Sequence, residues 1–152
     1  MSWHLFPFNE LSTPKLYAIL KLRVDIFVVE QNCPYPEIDG KDSLCYHLYK
    51  EIDGEIAAYA RLLPPGLSYE EASIGRVIVN PKYRGQKLGE SLLKEAIRHT
   101  QNLWNSSIQI GAQAHLQKFY SAQGFVPNSE IYLEDDIPHL DMLLNAKEQP
   151  LS

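Results

Sequence analysis

Cysteine is scarce: Cys33 and Cys45 are the only two in 152 residues, and they form no CxxC. Two thiols cannot build the disulfide framework of a small secreted domain, so a reducing cytoplasm is the expected setting. Positive charge is also short, with 14 Lys plus Arg against 19 Asp plus Glu and a formal charge of -5. That balance argues against a nucleic-acid binder, whose affinity rests mainly on neutralised phosphates. Apolar runs fall far below the ~20 residues that span a bilayer, so no membrane partner is expected. The stretch from Met1 to Glu10 lacks the basic start and unbroken apolar segment of a signal peptide. Internal repeats are missing too, and soft punctuation is confined to Leu63-Pro64-Pro65-Gly66 and a polar tail after Asn145.

What is present is enough apolar residue, 45%, for one sizeable core. We read a single domain over residues 1–152, with a core of about 5–146 and a tail of 147–152. Thr13-Pro14 marks a helix start, Thr13 as N-cap and Pro14 at the first helical position. Leu16, Ile19, Leu20 and Phe27 share one face of that helix, and Arg23 falls on the same face. A guanidinium there needs an acceptor or a cavity, because an unpaired buried charge is very costly. From Phe27 to Asp42, Pro34, Pro36, Gly40 and several carboxylates predict a long ordered loop or a short second helix. Strands follow at Tyr46–Glu51 and Glu55–Leu63, joined through Asp53-Gly54, a strong hairpin signal. A third strand, Ala72–Val79, ends at Asn80-Pro81. An amphipathic helix is predicted from about Gly85 to Gln101, with Leu88, Leu92, Leu93, Ala96 and Ile97 as its apolar stripe. Then come a strand at Ser107–Ala112, a helix at Ala114–Gln123 closed by Gly124, and strands at Val126–Leu133 and His139–Asn145. The order is that of a mixed α/β domain.

One segment points to chemistry. Strand Ile74–Val79, the turn Asn80–Tyr83 and Arg84-Gly85-Gln86-Lys87-Leu88-Gly89 lead into the amphipathic helix. The first N–H groups of a helix lack partners and its dipole is positive there, which suits a phosphate. Two glycines allow close approach to the backbone, and Lys82, Arg84 and Lys87 add local positive charge to an acidic chain. The spacing is neither GxGxxG nor GxxxxGK[ST], which disfavours a dinucleotide fold and a P-loop. Solvated basic residues at an ordinary helix start are the competing reading.

These residues resemble a known family. Arg84 to Gly89 after Arg76-Val77-Ile78-Val79 resembles the acetyl-CoA pyrophosphate motif of the GNAT superfamily, Q/R-x-x-G-x-G/A. Phe119-Tyr120-Ser121-Ala122-Gln123-Gly124-Phe125 is similar to that superfamily's second signature. More narrowly, Phe27 to Tyr35, Ile38-Asp39-Gly40, Gly111 to Leu116 and Ile137-Pro138-His139 resemble the ElaA-like subfamily. The likeness runs from about Leu16 to Met142. It departs at Lys87, where the motif prefers glycine, and at Gln113 and Leu116, where Asn and Ala are common; Leu116 would narrow the pantetheine channel.

The resemblance implies an acyl-CoA N-acyltransferase fold: a central mixed, mostly antiparallel twisted sheet flanked by helices, with strands splayed at the cofactor site. It implies acetyl-CoA as cofactor and CoA as product. Backbone groups of Val77, Ile78 and Val79 would hold the pantetheine arm as an added strand, Val79 N–H polarising the thioester carbonyl. Gly85, Gln86, Lys87, Leu88 and Gly89, with the Arg84 side chain, would bind the pyrophosphate, and Gln113 would add a hydrogen bond. Tyr120 would be the general acid, protonating the leaving thiolate after direct attack by an amine.

An ordinary amine of pKa ~10.4 costs roughly 4 kcal/mol to deprotonate near neutrality, so a base is useful. His47, His115 and Glu30 are candidates from composition, and Arg23 and Arg76 could contact an acceptor. Glu30, Glu37, Asp39 and Asp42, near Tyr35, suit a cationic amine, whereas Arg23 in the cleft would suit a carboxylate. The acceptor therefore stays open between a small molecule and a peptide amine, and the resemblance leaves a homodimer open. No metal is expected, since Cys33, Cys45 and His47 match no zinc spacing. A cysteine hydrolase from Asp42, Cys45 and His47 is disfavoured because strand neighbours rarely converge on a substrate. The rival from another class is a CoA-binding regulatory or interaction module with little or no catalysis.

Overall fold

A computed structural model describes residues 3–146 as two antiparallel sheets with helices against them. The first sheet runs β1 (His4–Pro7), β2 (Tyr46–Ile52), β3 (Glu55–Leu63) and β4 (Ser73–Val79), in that spatial order. The second pairs β5 (Ile108–Gln113) with β8 (Ile137–Leu144), which carries both β6 (Val126–Pro127) and β7 (Tyr132–Glu134). α1 (Thr13–Val24), α2 (Leu88–Trp104) and α3 (Gln117–Ser121) complete the set. The expected mixed α/β architecture, mostly antiparallel and flanked by helices, is the one observed.

The two sheets touch through an isolated parallel bridge, Ala72 to Ile108, where Gln109 N–H donates to the Ala72 carbonyl at 2.9 Å. Beyond it β4 and β5 pair with no common partner and splay apart. Beneath the splay, Leu48, Ala58, Ala60, Leu62 and Ile74 pack on Leu92, Leu93 and Ala96 of α2 and on Ile108, Ile110, Leu140 and Met142 of the second sheet. A smaller cluster seats α1, through Ile19, on Tyr49, Ile56, Tyr59 and Ile78. Each fully buried aliphatic side chain contributes about 1.5–3 kcal/mol, which makes α2 the firm base on which its own N-terminus is presented.

Several boundaries differ from expectation for local reasons. Ser12, not Thr13, is the N-cap of α1: its backbone is extended and its hydroxyl accepts the Lys15 N–H at 3.2 Å. The helix does not stop at Phe27, because a π-helical turn, Asp25–Glu30, continues it and keeps Ile26 in the core. π turns widen a helix and are common next to functional sites. α2 starts three residues later than predicted, since Gly85 and Lys87 both have positive φ, +87° and +59°. The Ala114–Gln123 helix is shorter, a 3₁₀ turn at Ala114–Leu116 followed by α3, with Gly124 at φ +101° beyond it. The strand predicted at Val126–Leu133 is broken into β6 and β7, because Pro127 has no N–H for a continuous ladder and Ser129 turns its hydroxyl to Asp141 N–H. Asp135 and Asp136, both at positive φ, make a two-residue turn into β8 that composition did not reveal. Residues 147–152, the tail, lie outside the described residues.

Candidate active site

β4 is built as an edge with a kink. Register with β3 slips between Tyr59, opposite Ile78, and Arg61, opposite Gly75, so β4 holds one extra residue there. Arg76, within that bulge, has φ +53°, an uncommon and costly backbone for a side chain of this size. Bulges re-aim side chains beside active sites. The Asn80 N–H donates to the Ala57 carbonyl at 2.8 Å, and the alternation of an antiparallel ladder then faces Ile78 toward β3 and Val79 away from it. Val77 and Val79 thus turn backbone groups to the splay, where the Val79 carbonyl accepts from Arg84 Nε at 3.3 Å. Ile78 instead pairs with Tyr59 and buries its side chain under α1.

One end of this open edge leads to the start of α2. No side chain caps that helix, and the backbone N–H groups from Gly85 to Glu90 find no backbone acceptor among the described residues. A pocket of about 390 Å³ lies over them, lined by Val79, Arg84, Gly85, Lys87, Leu88, Gly89, Glu90 and Phe119. Gly85 needs its glycine for φ +87°, and a Cβ there would meet nothing within 4 Å, so the space above is open. An uncapped, glycine-opened helix start of four and a half turns fits a pyrophosphate. The local cations are partly engaged: Lys82 pairs with Glu55 at 2.8 Å, and Arg84 with Glu30 at 2.9 Å. Lys87 has no ion pair among the described residues. Gln86 is exposed and does not border the pocket.

The other end opens into a cleft of about 450 Å³ between β4, β5 and the π turn, bordered by Phe27, Tyr35, Arg76, Val77, Gln113, Leu116, Tyr120 and His139 among others. Tyr120 is buried against Phe119 and Phe125, edge-on to both rings. Burial is the whole cause of its shift, pushing the phenol up to about 12, so it stays protonated at neutral pH. Gln113 Nε2 donates to Gln31 Oε1 at 3.3 Å across the cleft, and Leu116 stands beside Tyr120.

The other named residues go elsewhere. Arg23 is completely buried and donates to Glu37 at 2.8 Å and Asp42 at 2.7 Å. The guanidinium on the apolar face found carboxylates, not a cavity, and it does not border the cleft. Arg61 and Arg76 complete the cluster, Arg61 binding Asp39 and Asp42, Arg76 binding Glu37 at 2.6 Å and Asp39. Three guanidinium groups therefore neutralise three carboxylates, and the loop acids expected to draw in a cationic amine are spent internally. Burial by itself would raise the Asp39 and Asp42 carboxyls, but Arg61 and Arg23 hold both below their ordinary range. His47 is buried too, its Nε2 donating to the Asp42 carbonyl at 3.0 Å and its Nδ1 accepting from Tyr59 at 2.6 Å. Burial lowers its pKa and keeps the ring neutral. His115 is exposed on the 3₁₀ turn and does not border the cleft, and Glu30 sits at the phosphate end, on Arg84.

Among the described residues no three His, Cys, Asp or Glu side chains converge as a metal site. Cys33 and Cys45 are free and buried, and burial pushes the Cys45 thiol up to about 11. That thiol is no nucleophile at neutral pH. No helix of the described residues is long and apolar enough to cross a membrane.

The chain and its fold are similar to known proteins. A family model described as an acetyltransferase (GNAT) domain matches residues 24–146. Protein ElaA of Escherichia coli K12 is 43% identical over 145 residues, covering 93% of this chain and 95% of that protein, and the crystal structure of Escherichia coli ElaA superposes with a TM-score of 0.89. An acyl-CoA N-acyltransferase from Pseudomonas aeruginosa is also 43% identical, with a TM-score of 0.90 and coverage of 94% of this chain and 98% of that one. An aminoglycoside 6'-N-acetyltransferase complexed with coenzyme A shares the fold at a TM-score of 0.72, with 11% identity and 99% of each chain covered.

Proposed function

The chain belongs to the GNAT acetyltransferase family, and from that premise we propose that it is an N-acetyltransferase moving the acetyl group of acetyl-CoA to a primary amine. The observation that supports this reading is the continuous open edge of β4. It runs from an uncapped helix start suited to a pyrophosphate to a cleft holding a buried, protonated tyrosine. A CoA molecule has the matching order of parts, and the coenzyme A complex of the distant aminoglycoside acetyltransferase is consistent with such a ligand.

In this proposal the N–H groups from Gly85 to Gly89, with Arg84 and Lys87, hold the pyrophosphate. Val77 and Val79 pair with the pantetheine amides, and Val79 N–H stabilises the oxyanion that forms when the amine adds to the thioester. The C–N bond forms, the C–S bond breaks, and Tyr120 supplies the proton that the departing thiolate requires. In water a phenol at 12 would be a poor donor to a thiol of pKa ~8.5. The same desolvation that raises Tyr120 also raises a thiolate beside it, which narrows that gap. The two buried thiols fit work in the cytoplasm.

Calorimetry with acetyl-CoA, followed by thiol release across a panel of primary amines, tests the reading. Binding with amine-dependent release supports it. Binding without release moves the chain to the CoA-binding module, and absence of binding rejects the cofactor site.

A further inference from the structure

The reaction needs a group to take the ammonium proton before attack, and residues of the cleft can be compared for it. The chain has five histidines. His47 is neutral, doubly engaged and buried away from the cleft; His4 stacks on Tyr49, 5.1 Å between centroids; His99 lies on α2 beside Glu95; His115 is exposed outside the cleft. His139 borders it. The remaining basic candidates there are weaker. Asp39 is fastened to Arg61 and Arg76, burial keeps Tyr35 and Tyr69 protonated, and Glu134 and Asp135 are exposed carboxylates.

We propose that Nε2 of His139 is the base that takes the proton from the acceptor ammonium, and that Glu134 receives the imidazolium that results. This rests on the N-acetyltransferase reading and assigns a residue that the reading leaves blank. The ring is buried, 8% exposed, and its tautomer is set by its neighbours. Nδ1 lies 2.7 Å from the Ile137 carbonyl. A carbonyl only accepts, so Nδ1 carries the hydrogen and the Nε2 lone pair is free. Glu134 Oε2 stands 3.5 Å from Nε2, beyond a hydrogen bond to a neutral ring but placed to pair with a charged one. The orientation is enforced from both sides. His139 lies on the middle strand β8, opposite Gln113 of β5 and Tyr132 of β7. Tyr132 stacks on the imidazole at 6.1 Å and 21°, and is itself anchored by donating to Asp141 at 2.6 Å.

The step balances. The ammonium N–H bond breaks and its proton goes to Nε2; the freed nitrogen lone pair forms the amide C–N bond as the C–S bond breaks. Tyr120 protonates the thiolate and recovers its proton from the nitrogen, which sheds its second N–H proton as the amide forms, and the His139 proton passes to solvent along the exposed Glu134. Glu134 of β7 faces Nε2, Asp141 of β8 holds the Tyr132 that stacks on the ring, and Asp135 of the turn and Arg76 of β4 border the same cleft. Arg76 is already paired with Glu37.

The test is kcat/KM for thiol release against pH, with acetyl-CoA and primary amines of graded basicity. His139→Gln is expected to lower it about 100-fold or more at neutral pH, to abolish the acidic limb and to leave acetyl-CoA affinity within two-fold. The deficit should shrink as the amine pKa falls, because a weakly basic amine arrives unprotonated. Glu134→Gln is expected to lower the rate less than His139→Gln does and to leave the acidic limb in place. Added imidazole should restore part of the rate to His139→Ala, a readout that survives if His139→Gln folds poorly. A wild-type limb and rate in His139→Gln, or a uniform loss with the limb unchanged and no imidazole rescue, overturns the assignment while leaving the enzyme reading intact. A wild-type protein that binds acetyl-CoA and releases no thiol with any amine overturns the enzyme reading itself.

Discussion

At the residue scale, Tyr120 and Lys87 separate chemistry from binding. Tyr120 lies in the apolar core and lacks a charged neighbour, so removing its hydroxyl leaves the packing nearly unchanged. Tyr120→Phe is expected to lower turnover about 100-fold with acetyl-CoA affinity unchanged, checked by thiol release and calorimetry on one preparation. Lys87 is the residue at which the pyrophosphate motif departs from glycine, and φ +59° shows what that glycine does elsewhere. A left-handed L-residue is strained by about 1–2 kcal/mol, partly offset by the entropy glycine loses on folding. Lys87→Gly is therefore expected to stabilise the fold by about 0.5–1 kcal/mol in chemical denaturation, while weakening acetyl-CoA binding through loss of the unpaired local cation. Arg23 illustrates how far residue reasoning reached. Spacing placed it on an apolar face and demanded an acceptor. It could not name Glu37 and Asp42, 14 and 19 positions away in a loop of no regular period.

At the element scale, the link between the π turn and the 84–89 loop is the contact most open to manipulation. Glu30, the last residue of the turn, accepts two hydrogen bonds from Arg84, at 3.2 and 2.9 Å. An exposed pair of this kind is worth ~0.2–1 kcal/mol, so Glu30→Gln, by freeing Arg84 for an anion, is expected to tighten acetyl-CoA binding by up to about five-fold. Arg84→Ala should weaken it. Equal affinities in Glu30→Gln and the parent would show that Arg84 serves the loop's shape alone. Elements with a strong period or turn signal were legible from sequence: β3 runs Glu55–Leu63 as expected, and Asp53-Gly54 turns the hairpin with both φ positive. The start of α2 was less so, because positive φ at a lysine has no sequence signal. The β6–β7 break was hidden because polar residues filled what looked like one strand from Val126 to Leu133, and the Asp135-Asp136 turn fell in the gap before the next predicted strand. His139 was visible only as part of Ile137-Pro138-His139 and as the first residue of a predicted strand. Its place opposite Gln113 depends on a register that no local pattern reveals.

At the scale of the whole molecule, two ties hold the cleft open in one shape: the bridge from Ala72 to Ile108 and the buried ion cluster that fastens the 31–42 loop to α1, β3 and β4. Removing Arg23 leaves three carboxylates to two guanidinium groups in a desolvated site. Arg23→Met is therefore expected to destabilise the fold by about 3 kcal/mol or more, read from denaturant midpoints. The cluster also predicts an acid response. Asp39 and Asp42 have folded pKa values below their unfolded ones, so their contribution is complete above about pH 4 and is lost as pH falls through the folded values. Melting temperature should drop steeply below about pH 4, and Asp39→Asn, already deprived of part of that contribution, should show a shallower drop. The fold class and the order of its elements were readable because hydrophobic period and two family signatures agreed. The cluster was not, because it joins residues from four separate segments.

The decisive measurement is thiol release from acetyl-CoA by the full chain across a panel of primary amines, run beside Tyr120→Phe. Release that depends on the amine and collapses in Tyr120→Phe, with acetyl-CoA bound equally by both proteins, is the predicted result. Release that ignores the amine, or that Tyr120→Phe sustains at the wild-type rate, contradicts it.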